Sequence, residues 1–365
     1  MQRSTSVFDG SSSSRAALTP LTFDDPDYTS ALDFVGHGAF HQFIRCPRTG
    51  LRVSFSEAGP RDAPTILFCP PSFCSRYVGG PNVEGWARKM GVRVITIDRP
   101  GMGGTERCSI DERLEVSAQH VASVLEYLGI KKVALLSHSA GALYIMHLLA
   151  NHPMLFGPSP RVYLIAPWIP TSISDQFGLQ LVPSWIVGNQ HTIRPVGLPL
   201  MKGMMSSFAF SSGLFQREND KMDMSEWVVP ERFRNEGEKY QPQPPFHTNL
   251  AASSEVGTLI DSCVLSEPLQ GISQDYLMCL GRGGPLKEDW YKNIVEDLAR
   301  GYKDRHEEVM VEVLWAGNDE IIPQKGRKWF DDLMGMAGDV IKYHSAELEG
   351  LGHDGPLSKI EVMGA

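Results

Sequence analysis

Three polar residues far apart in the chain, Ser139, Asp319 and His353, have the types and local settings that acyl-transfer chemistry requires. Ser139 stands in Ser137-His138-Ser139-Ala140-Gly141, between the apolar run 134–136 and the apolar-rich segment 142–150. A serine hydroxyl attacks a carbonyl only when a base takes its proton, and an imidazole base needs a carboxylate to fix its tautomer. A strand, a tight turn and a helix in succession would present such a serine, with small residues two positions to either side letting the turn close. Gly141 meets that need, whereas Ser137 is small but tolerates a strained backbone less well. Taken alone, the motif leaves a plain helix cap as the lesser alternative for Ser139.

The partners give the stronger argument. Asp319 follows an apolar run in LWAGNDEIIP, and His353 lies in the glycine-lined segment LEGLGHDGP. Each is expected just past the carboxyl end of a strand, where open α/β sheets bind their ligands. Serine, acid and histidine arrive in an order that known triads use.

The elements that must position these residues are read from apolar periodicity. FHQFIRC and LRVSFSEAG predict a hairpin across the turn PRTG. The strands TILFC, VRVITID, KKVALLS and RVYLIAP then alternate with the helices VEGWARKMG, ERLEVSAQHVASVLEYLGI and AGALYIMHLLANHP. Strands that are apolar on both faces, with helices between them, predict a mostly parallel, doubly wound α/β sheet. Alternation stops after Trp168 and resumes only at VMVEVLWAG, with the helix QKGRKWFDDLMGMAG and a last strand in DVIKYHSAELEG beyond it. A stretch that long is an inserted substructure rather than a loop. Pro183, Pro195 and Pro199 break its apolar part into what should be short helices of a lid. The organisation expected is a polar arm over 1–35, a core over 36–168 and 291–365, and an inserted, mainly helical cap over 169–290.

Composition narrows the function classes. The chain has 365 residues and a net charge of -9, with no dense Lys/Arg block, which argues against a nucleic-acid partner. No run of about 18 apolar residues exists, so no membrane span is expected. The serine-rich start lacks the apolar centre of a secretory signal, making a cytoplasmic protein the default expectation. Six cysteines form no CxxC pair and read as free thiols. His41, His120, His147, His152, His191, His247, His306 and His344 show no metal-ligand spacing with carboxylates or thiols, so no metal site is expected. Gly101, Gly103 and Gly104 precede no Gly-Lys-Ser/Thr, so no nucleotide is implied, and no other cofactor is expected.

From about Phe40 onward the chain resembles the α/β-hydrolase superfamily. The resemblance rests on SHSAG, GNDEIIP and GLGHDGP, and on DRPGMGG, where Asp98, Arg99, Pro100, Gly101 and Gly103 match the family's strand-and-turn pattern. It implies Ser139 as nucleophile, His353 as general base and then acid, and Asp319 as the residue orienting it. Glu320 and Asp175 are the alternative acids. It also implies an oxyanion hole made by the backbone N–H groups of Ser72 and Ala140. The chain departs from the family there, because Pro70 and Pro71 stand where His-Gly is usual and proline has no N–H. Phe73, His138, Trp168 and Met204 are the candidate contacts to a hydrophobic small-molecule substrate. Three functions follow as expectations. The first is hydrolysis of an ester, lactone, thioester or activated amide. The second, by resemblance to hydrolase-like enzymes of fungal secondary metabolism, is condensation or cyclisation of a polyketide–amino-acid intermediate. The third is a non-catalytic receptor. An epoxide hydrolase or dehalogenase is disfavoured, since such members need a carboxylate at the position of Ser139.

Overall fold

The structure is a computed structural model that describes residues 31–174, 183, 184 and 254–358 except 269 and 288. Its strands are β1 (Gln42–Arg45), β2 (Arg52–Ala58), β3 (Thr65–Cys69), β4 (Arg93–Ile97), β5 (Ala134–His138), β6 (Arg161–Ile165), β7 (Val309–Ala316) and β8 (Ile341–Leu348). They form one sheet in the order β1-β2-β4-β3-β5-β6-β7-β8. β1 pairs with β2, and β2 with β4, in antiparallel fashion. All later pairs are parallel. The predicted hairpin turn is closed by Cys46 and Leu51, whose N–H···O bond is 2.8 Å, with Gly50 at φ 72°.

The described helices are α1 (Ala31–Val35), α2 (Arg76–Gly79), α3 (Glu84–Met90), α4 (Arg113–Leu128), α5 (Gly141–Asn151), α6 (Thr171–Ser174), α7 (Ser254–Ser266), α8 (Gln270–Cys279), α9 (Trp290–Asp304), α10 (Gln324–Gly335) and α11 (Gly355–Ser358). They cover both faces because side chains alternate across a strand. Leu67, Ile95, Leu135 and Leu164 pack in one core with Leu125 of α4, Leu148 of α5, Leu298 of α9 and Phe330 of α10. Their neighbours Phe68, Val94, Leu136 and Ile165 turn to the other face and meet Phe34, Ala87, Ile260 and Leu357. This two-sided burial explains why these strands are apolar runs rather than alternating ones.

Of residues 169–290, α6, α7 and α8 are described. Pro195, Pro199, Met204 and Asp175 lie outside the described residues, as do positions 1–30 of the N-terminal segment. Among the described residues, no helix is long and apolar enough to cross a membrane.

Candidate active site

Ser139 occupies the turn between β5 and α5 with φ 51°, a left-handed conformation that costs a non-glycine residue energy. Three backbone hydrogen bonds hold that turn. The Ser139 N–H donates to Ile165 O at 2.9 Å, while its carbonyl accepts from Trp168 N at 3.0 Å and Ala142 N at 3.1 Å. The tightness of the turn dictates Gly141, since a Cβ there would lie 2.1 Å from the Cys69 carbonyl oxygen. Ser137 is fully buried in β5, and its hydroxyl has no hydrogen-bond partner.

Asp319 and His353 meet beyond the ends of β7 and β8. Asp319 Oδ2 lies 2.9 Å from His353 Nδ1, and both side chains are buried. The other carboxylate oxygen accepts from Ile321 N at 2.8 Å and Ile322 N at 2.7 Å, which fixes the carboxylate plane. Burial alone would raise the Asp319 pKa, but the imidazole and these two N–H groups outweigh it and hold the carboxyl below its ordinary range. Burial likewise works against a charged His353, yet Asp319 and then Asp354 outweigh it and raise the imidazole above its ordinary value. His353 Nε2 is buried and has no hydrogen-bond partner, so the Ser139 hydroxyl is not bonded to it in this structure. A base in an unliganded site is often loosely aligned in this way.

His138, immediately before Ser139, links the two halves of the site. Its ring lies 4.9 Å from that of His353, centroid to centroid, and its Nε2 is 3.2 Å from the His353 carbonyl oxygen. Burial, followed by the proximity of His353, pushes its pKa down to about 3, so it is a neutral donor that pins the histidine-bearing loop. Asp354 stands 3.5 Å from the same Nε2, and burial pushes its pKa up to about 6.

Across the turn, the Pro70–Pro71 pair is held through its carbonyl groups. Arg99 donates to Pro70 O at 3.0 Å and to Pro71 O at 2.7 Å. Among the described residues, neither the Ser72 nor the Ala140 amide has an acceptor, although both residues are buried. Phe73 follows with φ 69° and packs in a tilted contact against Tyr276 of α8, ring centroids 4.8 Å apart. The thiols of Cys69 and Cys74 are pushed up to about 12, chiefly by burial, which leaves them protonated.

Trp168 is buried, and its indole N–H donates to Cys279 O at 3.2 Å. It forms part of a cleft of about 610 Å³ lined also by Leu143, Met278, Leu286, Trp290 and Tyr291. Ser139 and His353 are not in that lining. Its connection to the elbow runs through the Trp168 backbone N–H.

Several residues at the site had no signal in the sequence. Asp275 of α8 accepts from Arg113 Nε at 2.8 Å and Tyr144 OH at 2.6 Å, all three side chains being buried. Sequence separation hides them: Arg113 and Asp275 are 162 positions apart. Asp354 could have been found, since it adjoins His353 in GLGHDGP. A second cluster, Glu115, His147 and His152, converges on the flank of α4 and α5, and its spacing along the chain conceals it.

A mostly parallel eight-stranded sheet with an antiparallel start, carrying a strand–turn–helix elbow after its fifth strand, is the α/β-hydrolase architecture. The chain belongs to the alpha/beta hydrolase family, whose model matches residues 66–359. It is 29% identical over 113 residues to the bifunctional esterase/perhydrolase DCH of Acinetobacter calcoaceticus, a match covering 29% of this chain and 38% of that protein. It is 25% identical over 218 residues to the 2-hydroxy-6-oxononadienedioate/2-hydroxy-6-oxononatrienedioate hydrolase of Comamonas testosteroni, covering 53% of this chain and 68% of that one. Among solved structures, the esterase RhEst1 of Rhodococcus sp. ECU1013 shares the fold at a TM-score of 0.53 and 16% identity, over 89% of this chain and 96% of that one.

Proposed function

We propose that the protein is a serine-dependent hydrolase that cleaves a carbonyl compound through an acyl-enzyme. The observation that carries this reading is the buried His353, with Nδ1 held by Asp319 and Nε2 left without a partner beside the strand that ends in the strained Ser139 turn. Ser139 Oγ attacks the carbonyl carbon as its proton passes to His353 Nε2, and Asp319 stabilises the imidazolium. The unpaired Ser72 and Ala140 amides receive the oxyanion. The tetrahedral intermediate collapses with release of the leaving group, which takes the proton from His353. Water, deprotonated by the same imidazole, then releases the acid and frees Ser139.

The named relatives, an esterase/perhydrolase and a hydrolase of an unsaturated dioate, support hydrolytic chemistry at a carbonyl. In this reading residues 169–290 form the cap, and the Trp168 cleft takes the apolar part of a small ester, lactone, thioester or activated amide. A fluorophosphonate probe tests the assignment by labelling the wild type and leaving Ser139→Ala unlabelled. Labelling retained in that variant overturns the nucleophile. Mass spectrometry of turned-over substrate separates hydrolysis, which adds water, from the condensation or cyclisation reading, which removes it.

A further inference from the structure

We propose that Glu115, His147 and His152 form a binding site for a Zn²⁺-class divalent cation, separate from the Ser139 site. Glu115 projects from α4, His147 from α5, and His152 follows the end of α5. Both imidazoles bring Nε2 to one carboxylate oxygen, Glu115 Oε2, at 3.2 Å from His147 and 3.0 Å from His152. All three donor atoms lie within 4.8 Å of one another.

The distances are compatible with a cation. Ligands at about 2.0–2.1 Å from a tetrahedral Zn²⁺ stand ~3.3 Å apart. Two edges of that triangle are therefore already near the required length, and closing the third moves one imidazole by ~1.5 Å at most. Two imidazoles and one carboxylate are a donor set that suits zinc and leaves one position for water.

The Glu115 carboxylate is also supported from behind, as metal ligands usually are. Gln119 donates to the second oxygen of Glu115 at 2.9 Å. The Asn151 side chain sits 3.3 Å from His147 Nδ1 and donates to the His147 carbonyl at 3.0 Å. The groups are half-buried, within reach of solvent yet partly shielded from it.

A bound cation would tie α4 to α5, the helix that leaves the Ser139 turn. The buried trio His138, His353 and Asp354 belongs to the active site and plays no part in this proposal.

Titration of the full-length, tag-free protein with Zn²⁺ by calorimetry tests the site, with Co²⁺ as a spectroscopic probe. The expected result is saturable binding, with visible Co²⁺ bands of a four- or five-coordinate ion. His147→Ala and His152→Ala should each weaken it by about tenfold or more. His344→Ala, which removes another imidazole facing a carboxylate, should leave it unchanged. Zn²⁺ should raise the melting temperature of the wild type and not that of the double variant. Absence of saturable binding to the wild type overturns the proposal. So does affinity retained within about twofold in the His147→Ala/His152→Ala variant, since a lost ligand costs far more.

Discussion

Asp275 and Arg99 form a buried ion pair, Oδ2 to Nη2 at 3.1 Å, that joins helix α8 to the turn after β4. Arg99 also donates through Nη1 to the Pro70 carbonyl and through Nη2 to the Pro71 carbonyl, and its guanidinium lies over the Tyr144 ring at 5.0 Å. Asp275 gives its second oxygen to Arg113 and Tyr144. The residues that replace the family's usual His-Gly are thus anchored by their carbonyls, because they have no N–H groups to offer. The orientation of the Ser72 amide follows from that anchoring.

Arg99→Lys should therefore damage turnover more than binding. A lysine reaches one carbonyl but cannot span both, since it lacks the planar fork. If Ser72 donates to an oxyanion, kcat should fall about tenfold to a hundredfold, less than the ~10²–10³ lost when a donor is removed outright. KM should change little. Steady-state kinetics on a hydrolysed ester check this, and a raised KM with kcat intact would detach Arg99 from the oxyanion turn.

Asp275→Asn should be costly to stability, because it leaves two buried guanidinium groups facing a neutral amide. Removing one partner of such a cluster costs ~3–5 kcal/mol. Urea unfolding measures the loss, and a change below ~1 kcal/mol would mean that solvent reaches the cluster.

The pH dependence follows from the Asp319–His353 pair. His353 must be neutral to accept a proton, and its pKa is raised, so the acid limb of kcat/KM should lie above the ordinary imidazole value of ~6.5. Asp354→Asn removes one of the charges raising it, and should move that limb to lower pH. His138, the other titratable group against His353, stays neutral throughout this range. Stability has the opposite sign. The protonated His353 contributes fully below pH ~6.5, and the contribution is lost as pH rises through the raised pKa. Asp319, whose pKa is lowered, contributes above ~3.9 and loses its contribution as pH falls through the folded value. A pH–rate profile with its acid limb at or below ~6.5 would contradict the pairing.

Asp319→Asn should leave the fold intact and lower kcat by about 10⁴, as expected when an imidazole loses the carboxylate that sets its tautomer. The same kinetics on Glu320→Gln should show little change, because it is Asp319 that meets His353 Nδ1. A reversed pattern would move the role of acid to Glu320.

The fold was legible where burial is two-sided. TILFC coincides with β3 residue for residue, and the boundaries of β4, β5 and α5 fall within three residues of those read from apolar periodicity. Helices α7, α8 and α9 were not legible, because their segments lie among the prolines and glycines after Trp168, where no strand alternation frames them. The Asp319–His353 contact could be anticipated because each residue follows its own strand. The Arg99–Asp275–Arg113 cluster could not, since one buried acid among many surface carboxylates carries no local pattern. The Glu115 cluster was hidden for a related reason: His147 on α5 and His152 just past its end are 32 and 37 positions from Glu115 on α4.

The two small residues flanking Ser139 should respond in opposite directions. Gly141→Ala drives a Cβ toward the Cys69 and Pro70 carbonyl oxygens, at 2.1 and 2.9 Å, and backbone oxygens paired into the sheet and its turn cannot retreat cheaply. It should destabilise the protein by more than the ~1 kcal/mol typical of point variants, and lower kcat by shifting the elbow. Ser137→Ala acts on the other side of the turn. Ser137 lies on β5, which β3 and β6 flank, and its buried hydroxyl has nothing to bond, a state that costs ~1–3 kcal/mol. Alanine keeps the Cβ and removes that oxygen, so this variant should be more stable by ~1 kcal/mol with its activity preserved. Paired urea melts decide the matter. A destabilised Ser137→Ala would mean that the hydroxyl has a partner in solution, with a bound water the first candidate.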